Sequence, residues 1–151
     1  MKLTIRTATE NDLDACARLL TQLFSIEEDF VIDTEKQLKG LRLLLAEPER
    51  CRIFVAEFED EIIGMCAVQL LVSTAEGGPV MLFEDFIVSE SHRSRGIGAQ
   101  LIQAAEAWGK SHHATRFQLL ADKDNRKALD FYQNHGWNRT NLTYLFKKKE
   151  I

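Results

Sequence analysis

A loop rich in glycine and arginine, residues 93–98, has the composition of a phosphate-binding site. The segment Arg93-Ser-Arg-Gly96-Ile-Gly98 follows an apolar strand pattern and precedes a helix pattern. Glycine lets the backbone approach an anion closely, and a helix N-terminus directs N–H groups and the positive end of its dipole toward the same point. Arg93 and Arg95 add cationic donors. Anion binding is therefore one interpretation, and a turn that needs glycine for its geometry alone is the other.

Glu84 and Asp85 are adjacent carboxylates inside an apolar, strand-like segment. A carboxylate in such a place could act as a general base, because burial raises the pKa of a carboxyl group toward the useful range. Side chains alternate along a strand, so we expect Glu84 to share a face with Leu82 and Phe86 and Asp85 to point the opposite way. Both could instead be structural and pair with Arg or Lys across a sheet.

Strand and helix patterns alternate along the segments that must position these residues. Thr9 to Asp12 has the pattern of a helix cap, and Thr34 with Gln37 has the pattern of a capping box. Antiparallel strands followed by a strand-helix-strand unit predict a single α/β domain over 1–151, with a mixed, mostly antiparallel central sheet and helices on both faces. The sequence predicts strands at 2–7, 53–58, 62–72, 80–88, 117–121 and 142–146, and helices at 13–24, from about 34 to before Pro48, at 97–108 and at 128–135.

Composition excludes several function classes. The chain of 151 residues has a formal net charge of −4, which disfavours nucleic acid as a partner. No apolar run approaches the ~20 residues of a membrane span, so we expect a cytoplasmic protein without a membrane partner. The three cysteines lack metal-ligand spacing, and no further ligands are evident near His112 and His113, so we expect no metal.

A second motif follows the glycine loop, Asn125-Arg-Lys-Ala-Leu-Asp-Phe-Tyr132-Gln-Asn-His-Gly136-Trp137. Together with Arg93-x-x-Gly96-x-Gly98-Ala99 and the strand before it, this motif resembles the GNAT superfamily of acetyl-CoA-dependent N-acetyltransferases. The segment from Phe83 to Phe86 is weakly similar to polyamine acetyltransferases. The resemblance implies acetyl transfer from acetyl-CoA to the primary amine of a small molecule, and a homodimer.

The resemblance also implies how the coenzyme is held. A bulge would separate the central strands, the backbone of the last strand residues would pair with pantetheine, and the loop would surround the pyrophosphate. Val88 N–H would stabilise the developing oxyanion. The cofactor-binding residues implied are Phe86, Ile87, Val88, Arg93, Ser94, Arg95, Gly96, Ile97, Gly98, Ala99 and Asn125.

Acetyl transfer requires a neutral amine and a proton for the departing thiolate. An aliphatic ammonium titrates near ~10, so a base is needed at neutral pH. Likeness to polyamine acetyltransferases favours Glu84 as that base, acting through water, with Asp85 left to bind substrate or to replace it. Tyr132 is the candidate acid, and its spacing from Asn125 predicts a shared helix face. The alternatives are a core aromatic at Tyr132 and a helix N-cap at Asn125.

Negatively charged residues indicate the kind of amine acceptor. Glu27, Glu28 and Asp29 lie between the first two predicted helices, where the resemblance implies a wall of the acceptor pocket that could attract a cationic amine. A solvated loop is the alternative. Neither motif contains cysteine, so we expect direct attack in a ternary complex rather than an acetyl-enzyme.

Two other functions stay open at this point. A protein N-terminal or lysine acetyltransferase would need a long open groove, for which the chain offers little sequence outside the core elements. A non-catalytic module would bind acyl-CoA through the glycine loop at 93–98 but would not catalyse acetyl transfer.

Overall fold

Five strands and four α-helices form the part of the chain that the structure, a computed structural model, describes, which is residues 2–26 and 32–149. The predicted acceptor residues Glu27, Glu28 and Asp29 lie outside the described residues. Short 3-10 helices span Glu10–Asp12 and Glu90–His92. The strands are β1 Leu3–Thr7, β2 Cys51–Phe58, β3 Glu61–Ser73, β4 Gly78–Val88 and β5 Phe117–Leu119, and the helices are α1 Leu13–Ile26, α2 Thr34–Leu45, α3 Ile97–Ser111 and α4 Arg126–Asn134.

The strands form one sheet in the order β1-β2-β3-β4-β5. The first four strands are antiparallel to their neighbours, and β5 is parallel to β4. The predicted mixed, mostly antiparallel sheet is therefore confirmed. This sheet and α1, α2 and α3 belong to one compact unit, Met1–Leu119, while α4 belongs to a second unit, Leu120–Ile151.

Side-chain alternation in β3 shows which helices cover each face of the sheet. Met65 and Ala67 lie in a buried core with residues of α1 and α2, including Leu20 and Leu41. A Cβ added at Gly64, whose side faces the other way, would lie 3.1 Å from Leu101 of α3. Helices therefore cover both faces of the sheet within the first unit, as predicted.

Gly109 shows how closely α3 approaches the sheet. A Cβ at this position would lie 2.8 Å from the sulfur of Met81 on β4. A Cβ this close would force the Met81 side chain to move, and the Phe117 ring is also only 3.0 Å away, so glycine allows α3 to pack closely on β4.

The β2–β3 hairpin turns at Glu59 and Asp60, between the predicted strands 53–58 and 62–72. Glu59 and Asp60 have φ values of 52° and 63°, which is the left-handed geometry of a two-residue hairpin turn. Predicted strand 142–146 is absent: this segment of the described chain is irregular, and Leu142 and Leu145 are exposed. Alternating apolar residues favour a strand, but a strand also needs a neighbouring strand with which to pair.

A charged cluster joins β1 to the start of α1. Arg6 Nη1 and Nη2 donate to the two oxygens of Asp12 at 2.8 and 2.9 Å, and Arg6 Nε donates to Glu57 at 3.0 Å. Thr9 N–H also donates to Asp12, at 2.7 Å. These bonds, with Arg6 first, lower the pKa of the Asp12 carboxyl group from 3.8 to about 2.

We expect Asp12→Asn to reduce the free energy of unfolding at pH 7 by about 2 kcal/mol, since each unit of pKa shift corresponds to about 1.4 kcal/mol. The pKa is lower in the folded state, so this stabilisation is complete above pH ~4 and is lost as the pH falls through about 2. Urea unfolding between pH 2 and 7 measures it, and the variant should show a flatter profile. Glu10→Gln is the control, because Glu10 pairs with Arg42 at the surface, where such pairs contribute little. Equal profiles for wild type and Asp12→Asn would contradict the prediction.

Candidate active site

A β-bulge interrupts β4 at Glu84. Asp85 lies opposite Ala67 and Phe83 lies opposite Val68, so Glu84 is an extra residue in β4 relative to β3. An extra residue disrupts the ladder and bends the bulged strand locally. The bulge that the family resemblance implied is therefore present.

The bulge reverses the alternation of side chains along β4. Met81, before the bulge, contacts the α3 face at Gly109, whereas Ile87, six residues later, lies in the core under α1 and α2. Without the extra residue the two would share a face. Glu84 and Asp85 consequently line the same cavity, so the expectation that they point to opposite faces is wrong. Glu84 is also exposed and Asp85 half-buried, in place of the burial expected inside an apolar strand.

The cavity shared by these carboxylates has a volume of about 640 Å³ and is bounded by α1, α2 and the neighbouring strands. Its apolar walls include Leu20, Phe24 and Leu41. Acidic side chains outnumber basic ones, which favours a cationic ligand. The charged residues that line it are Asp33, Glu47, Glu84 and Asp85, with Lys36 and Arg50.

Gln37 is a cavity residue whose role the sequence analysis missed. The predicted capping box of Thr34 and Gln37 is wrong, because Asp33 is the N-cap of α2 and accepts the Lys36 N–H at 3.2 Å. The Gln37 side chain is instead buried, with 8% of its surface exposed. Among the residues that the structure describes, its amide oxygen and nitrogen have no hydrogen-bond partner. No sequence signal could have indicated this, since glutamine at this position fits a cap equally well.

Backbone groups at the end of β4 alternate between the two sides of the strand. Ser89 N–H donates to Ile63 O at 2.7 Å, and antiparallel partners exchange such bonds at every second residue. Ile87, opposite Met65, therefore uses its backbone toward β3, and Val88 directs its N–H and C=O away from β3. On that side β5 pairs only with Met81 to Phe83, so within the described residues no strand ladder extends alongside Val88. This is the backbone arrangement that an amide-bearing chain could join as an added strand.

The predicted phosphate loop leads directly into α3. Ser94 and Gly96 have φ values of 63° and 77°, and Gly96 is the N-cap of the helix. A glycine N-cap provides no side-chain acceptor, so the first N–H groups of α3 are available to an external anion. Ile97 is buried and anchors the helix start, while Gly98 lies in the first helical turn. Arg93 Nε donates to Val88 O at 2.9 Å, which ties the loop to the end of β4.

Asn125 and Tyr132 both belong to the second unit. Asn125 is the N-cap of α4, and its side-chain oxygen accepts the Ala128 N–H at 3.2 Å. The N-cap interpretation is confirmed, and the amide nitrogen is not used by this bond. The Tyr132 ring lies 5.6 Å from the Phe131 ring and 6.0 Å from the Trp137 ring, measured between centroids.

The sequence profile of the acetyltransferase (GNAT) family matches residues 13–137, which is most of the chain. The chain belongs to this family. The match includes the bulged strand β4, the glycine loop before α3 and the Asn125 to Trp137 motif. The segments with the distinctive backbone geometry therefore lie within the part of the chain that matches the family.

Individual GNAT proteins are similar over most of this chain. An aminoglycoside N(6')-acetyltransferase type 1 of Stenotrophomonas maltophilia is 30% identical over 147 residues, covering 95% of this chain and 92% of that protein. An uncharacterised N-acetyltransferase of Methanocaldococcus jannaschii is 25% identical over 98% of this chain, which spans 62% of the length of that relative. The aminoglycoside N-acetyltransferase AAC(6')-Iy, solved in complex with CoA, has a TM-score of 0.84 at 21% identity, covering 98% of this chain and 95% of the solved chain.

These comparisons confirm the predicted family, the GNAT-like fold and the acyltransferase class. In the described ranges, no helix is long and apolar enough to cross a membrane. The individual roles predicted for the site residues stay predictions.

The three cysteine thiols lie in surroundings that raise their pKa, whereas the pKa of a reactive cysteine is lowered. Burial raises the pKa of Cys16 to about 12 and raises the pKa of Cys66 further. Cys51 lines the acidic cavity, and desolvation raises the pKa of its thiol as well. A thiol nucleophile needs a lowered pKa, so this GNAT chain offers no activated cysteine among its described residues.

Proposed function

We propose that this protein transfers an acetyl group from acetyl-CoA to the primary amine of a small cationic molecule, by direct attack in a ternary complex. The bulge at Glu84 carries the proposal. It places two carboxylates in one cavity, and on the same strand it is followed by Val88, which directs its N–H away from β3.

The coenzyme side of the site is formed by backbone. Acetyl-CoA supplies an activated acetyl thioester, and its pantetheine arm carries amides that suit the end of β4. The left-handed loop at Ser94 and Gly96 and the uncapped start of α3 suit a pyrophosphate. Val88 N–H would stabilise the oxyanion, a contribution of about 3 kcal/mol for a preorganised donor.

The acceptor side is formed by the acidic cavity. Glu84 and Asp85 would attract an ammonium group, and Glu84, which is exposed, would receive its proton directly or through water. Relatives named aminoglycoside N(6')-acetyltransferase support a small-molecule amine as acceptor. Glu27, Glu28 and Asp29 would add to this negative field.

After attack, the nitrogen must lose a second proton to become an amide, and the departing thiolate must gain one. We assign the donation to Tyr132, since a phenol near pKa ~10 can protonate a thiolate near ~8.5 at a modest cost when the two are in contact. The resulting phenolate would then take up the proton that the nitrogen releases, directly or through water. The raised pKa of Cys51 supports direct attack, because a thiol that stays protonated is a poor acetyl acceptor. A homodimer and a cytoplasmic location are further proposals.

A thiol-release assay across an amine panel tests this function. With acetyl-CoA, we expect thiol to appear only when an amine is added, and faster with aminoglycosides and polyamines than with amino acids or aminophosphonates, because the cavity is acidic. Mass spectrometry should find one acetyl group on the amine. CoA binding without any amine-dependent release would instead identify a non-catalytic module, and strong competition by lysine peptides would identify a protein acetyltransferase.

A further inference from the structure

Gln37, a residue of the acidic cavity wall, carries a buried amide group. It lies near the start of α2, is 8% exposed, and lines the cavity together with Glu84 and Asp85. Within the described part of the chain, neither its Oε1 nor its Nε2 has a hydrogen-bond partner. Leu41, one helical turn further along α2, also lines the cavity and is 2% exposed.

A buried amide without hydrogen-bond partners lowers the free energy of unfolding of the protein. Leaving a buried donor or acceptor without a partner costs about 1–3 kcal/mol, and an apolar side chain of similar size would avoid this cost. The fold itself therefore does not explain glutamine at position 37. A ligand that supplies the missing hydrogen bonds does explain it.

The chemistry of the amide identifies the ligand group. A primary amide offers two N–H donors and one carbonyl acceptor, so its natural complement is a group that donates and accepts at once. A hydroxyl group does both, whereas an ammonium only donates and would leave the Gln37 N–H groups unpaired. The cavity carboxylates serve the ammonium, which leaves Gln37 for a hydroxyl.

We propose that Gln37 is a specificity-determining residue that binds a hydroxyl group of the acceptor, so that the preferred acceptors are amines carrying hydroxyl groups on the same small scaffold, as amino sugars do. This inference rests on the proposed function and names its substrate class. A site built around a hydroxyl rejects the analogue without it, because its own polar atoms are then left unpaired.

A matched set of amines tests the inference. Cyclohexylamine and the 2-, 3- and 4-aminocyclohexanols share a ring and an amine and differ in one hydroxyl. For wild type, we expect kcat/KM of at least one aminocyclohexanol to exceed that of cyclohexylamine by 10-fold or more. In Gln37→Met this preference should fall by about 10- to 100-fold, with cyclohexylamine changed by less than about 3-fold.

Binding and stability measurements separate this inference from the proposed function. Calorimetric titration of the same amines into CoA-saturated protein should show the hydroxyl preference and its loss even if no amine is acetylated, a result that would overturn only the proposed function. Gln37→Met should unfold at the same urea concentration as wild type or a higher one, because it removes an unpaired amide. Gln37→Leu is a second variant, and Gln103→Met, on the exposed side of α3, is the matched control.

The inference is overturned by any of three results. Wild type could bind all four amines equally or not at all. Gln37→Met could lower affinity for cyclohexylamine as much as for the aminocyclohexanols. Both Gln37 variants could unfold, which would give the side chain a structural role.

Discussion

Gly98→Val should abolish CoA binding while the protein stays folded. Gly98 lies in the first turn of α3, two residues after the left-handed Gly96. A branched side chain there would occupy the space through which a pyrophosphate approaches the first N–H groups of the helix. Loss of two charge-assisted hydrogen bonds, about 1.5–3 kcal/mol each, corresponds to an affinity loss of at least ~10²-fold. Isothermal calorimetry with CoA measures it.

Valine at this position should not unfold the helix. Gly98 has helical backbone geometry, and valine is no worse than glycine in helix interiors. Gly40→Val is the matched control, because Gly40 also lies in a helix, α2, and has no atom within 4 Å of an added Cβ; its CoA affinity should equal that of wild type. Unchanged CoA affinity in a folded Gly98→Val protein would refute the assignment of the phosphate loop and leave glycine needed only for the turn.

Tyr132→Phe should lower kcat by about 10²-fold and leave CoA affinity unchanged. The substitution keeps the ring that packs beside Phe131 and Trp137, and it removes only the hydroxyl that would protonate the thiolate. Loss of a general acid typically costs 10²- to 10⁴-fold in rate. Because the acid acts in the transition state, kcat and kcat/KM should fall together. Single-turnover kinetics ensures that the chemical step is observed.

Glu84→Gln distinguishes the base from the acid. Its rate defect should lessen as the pH rises toward ~10, because more of the amine is then neutral before it binds. The defect of Tyr132→Phe should not lessen in this way, because a higher pH does not supply the missing proton. A normal single-turnover rate for Tyr132→Phe would show that Tyr132 is a packing residue and that thiolate departure needs no side-chain acid.

Local patterns in the sequence determined the elements that form the proposed coenzyme site. Residues 93–98 combine arginine, glycine and a helix start within a few positions, and helical periodicity placed α3 behind them. Asn125 likewise could be predicted as an N-cap, because capping depends on residues only three positions apart. Interactions of this kind are short in sequence, so the residue types alone specify them.

The acidic cavity, in contrast, was decided by contacts between residues distant in sequence. Alternation along β4 predicted that Glu84 and Asp85 point to opposite faces, but the pairing with β3 inserts Glu84 as a bulge and turns both toward one cavity. Register belongs to a pair of strands, so one strand's sequence cannot specify it. Asp33 caps α2, so the Gln37 side chain is not used as a cap and lies at the cavity wall. The strand pattern at 142–146 formed no strand, because alternation does not supply a pairing partner.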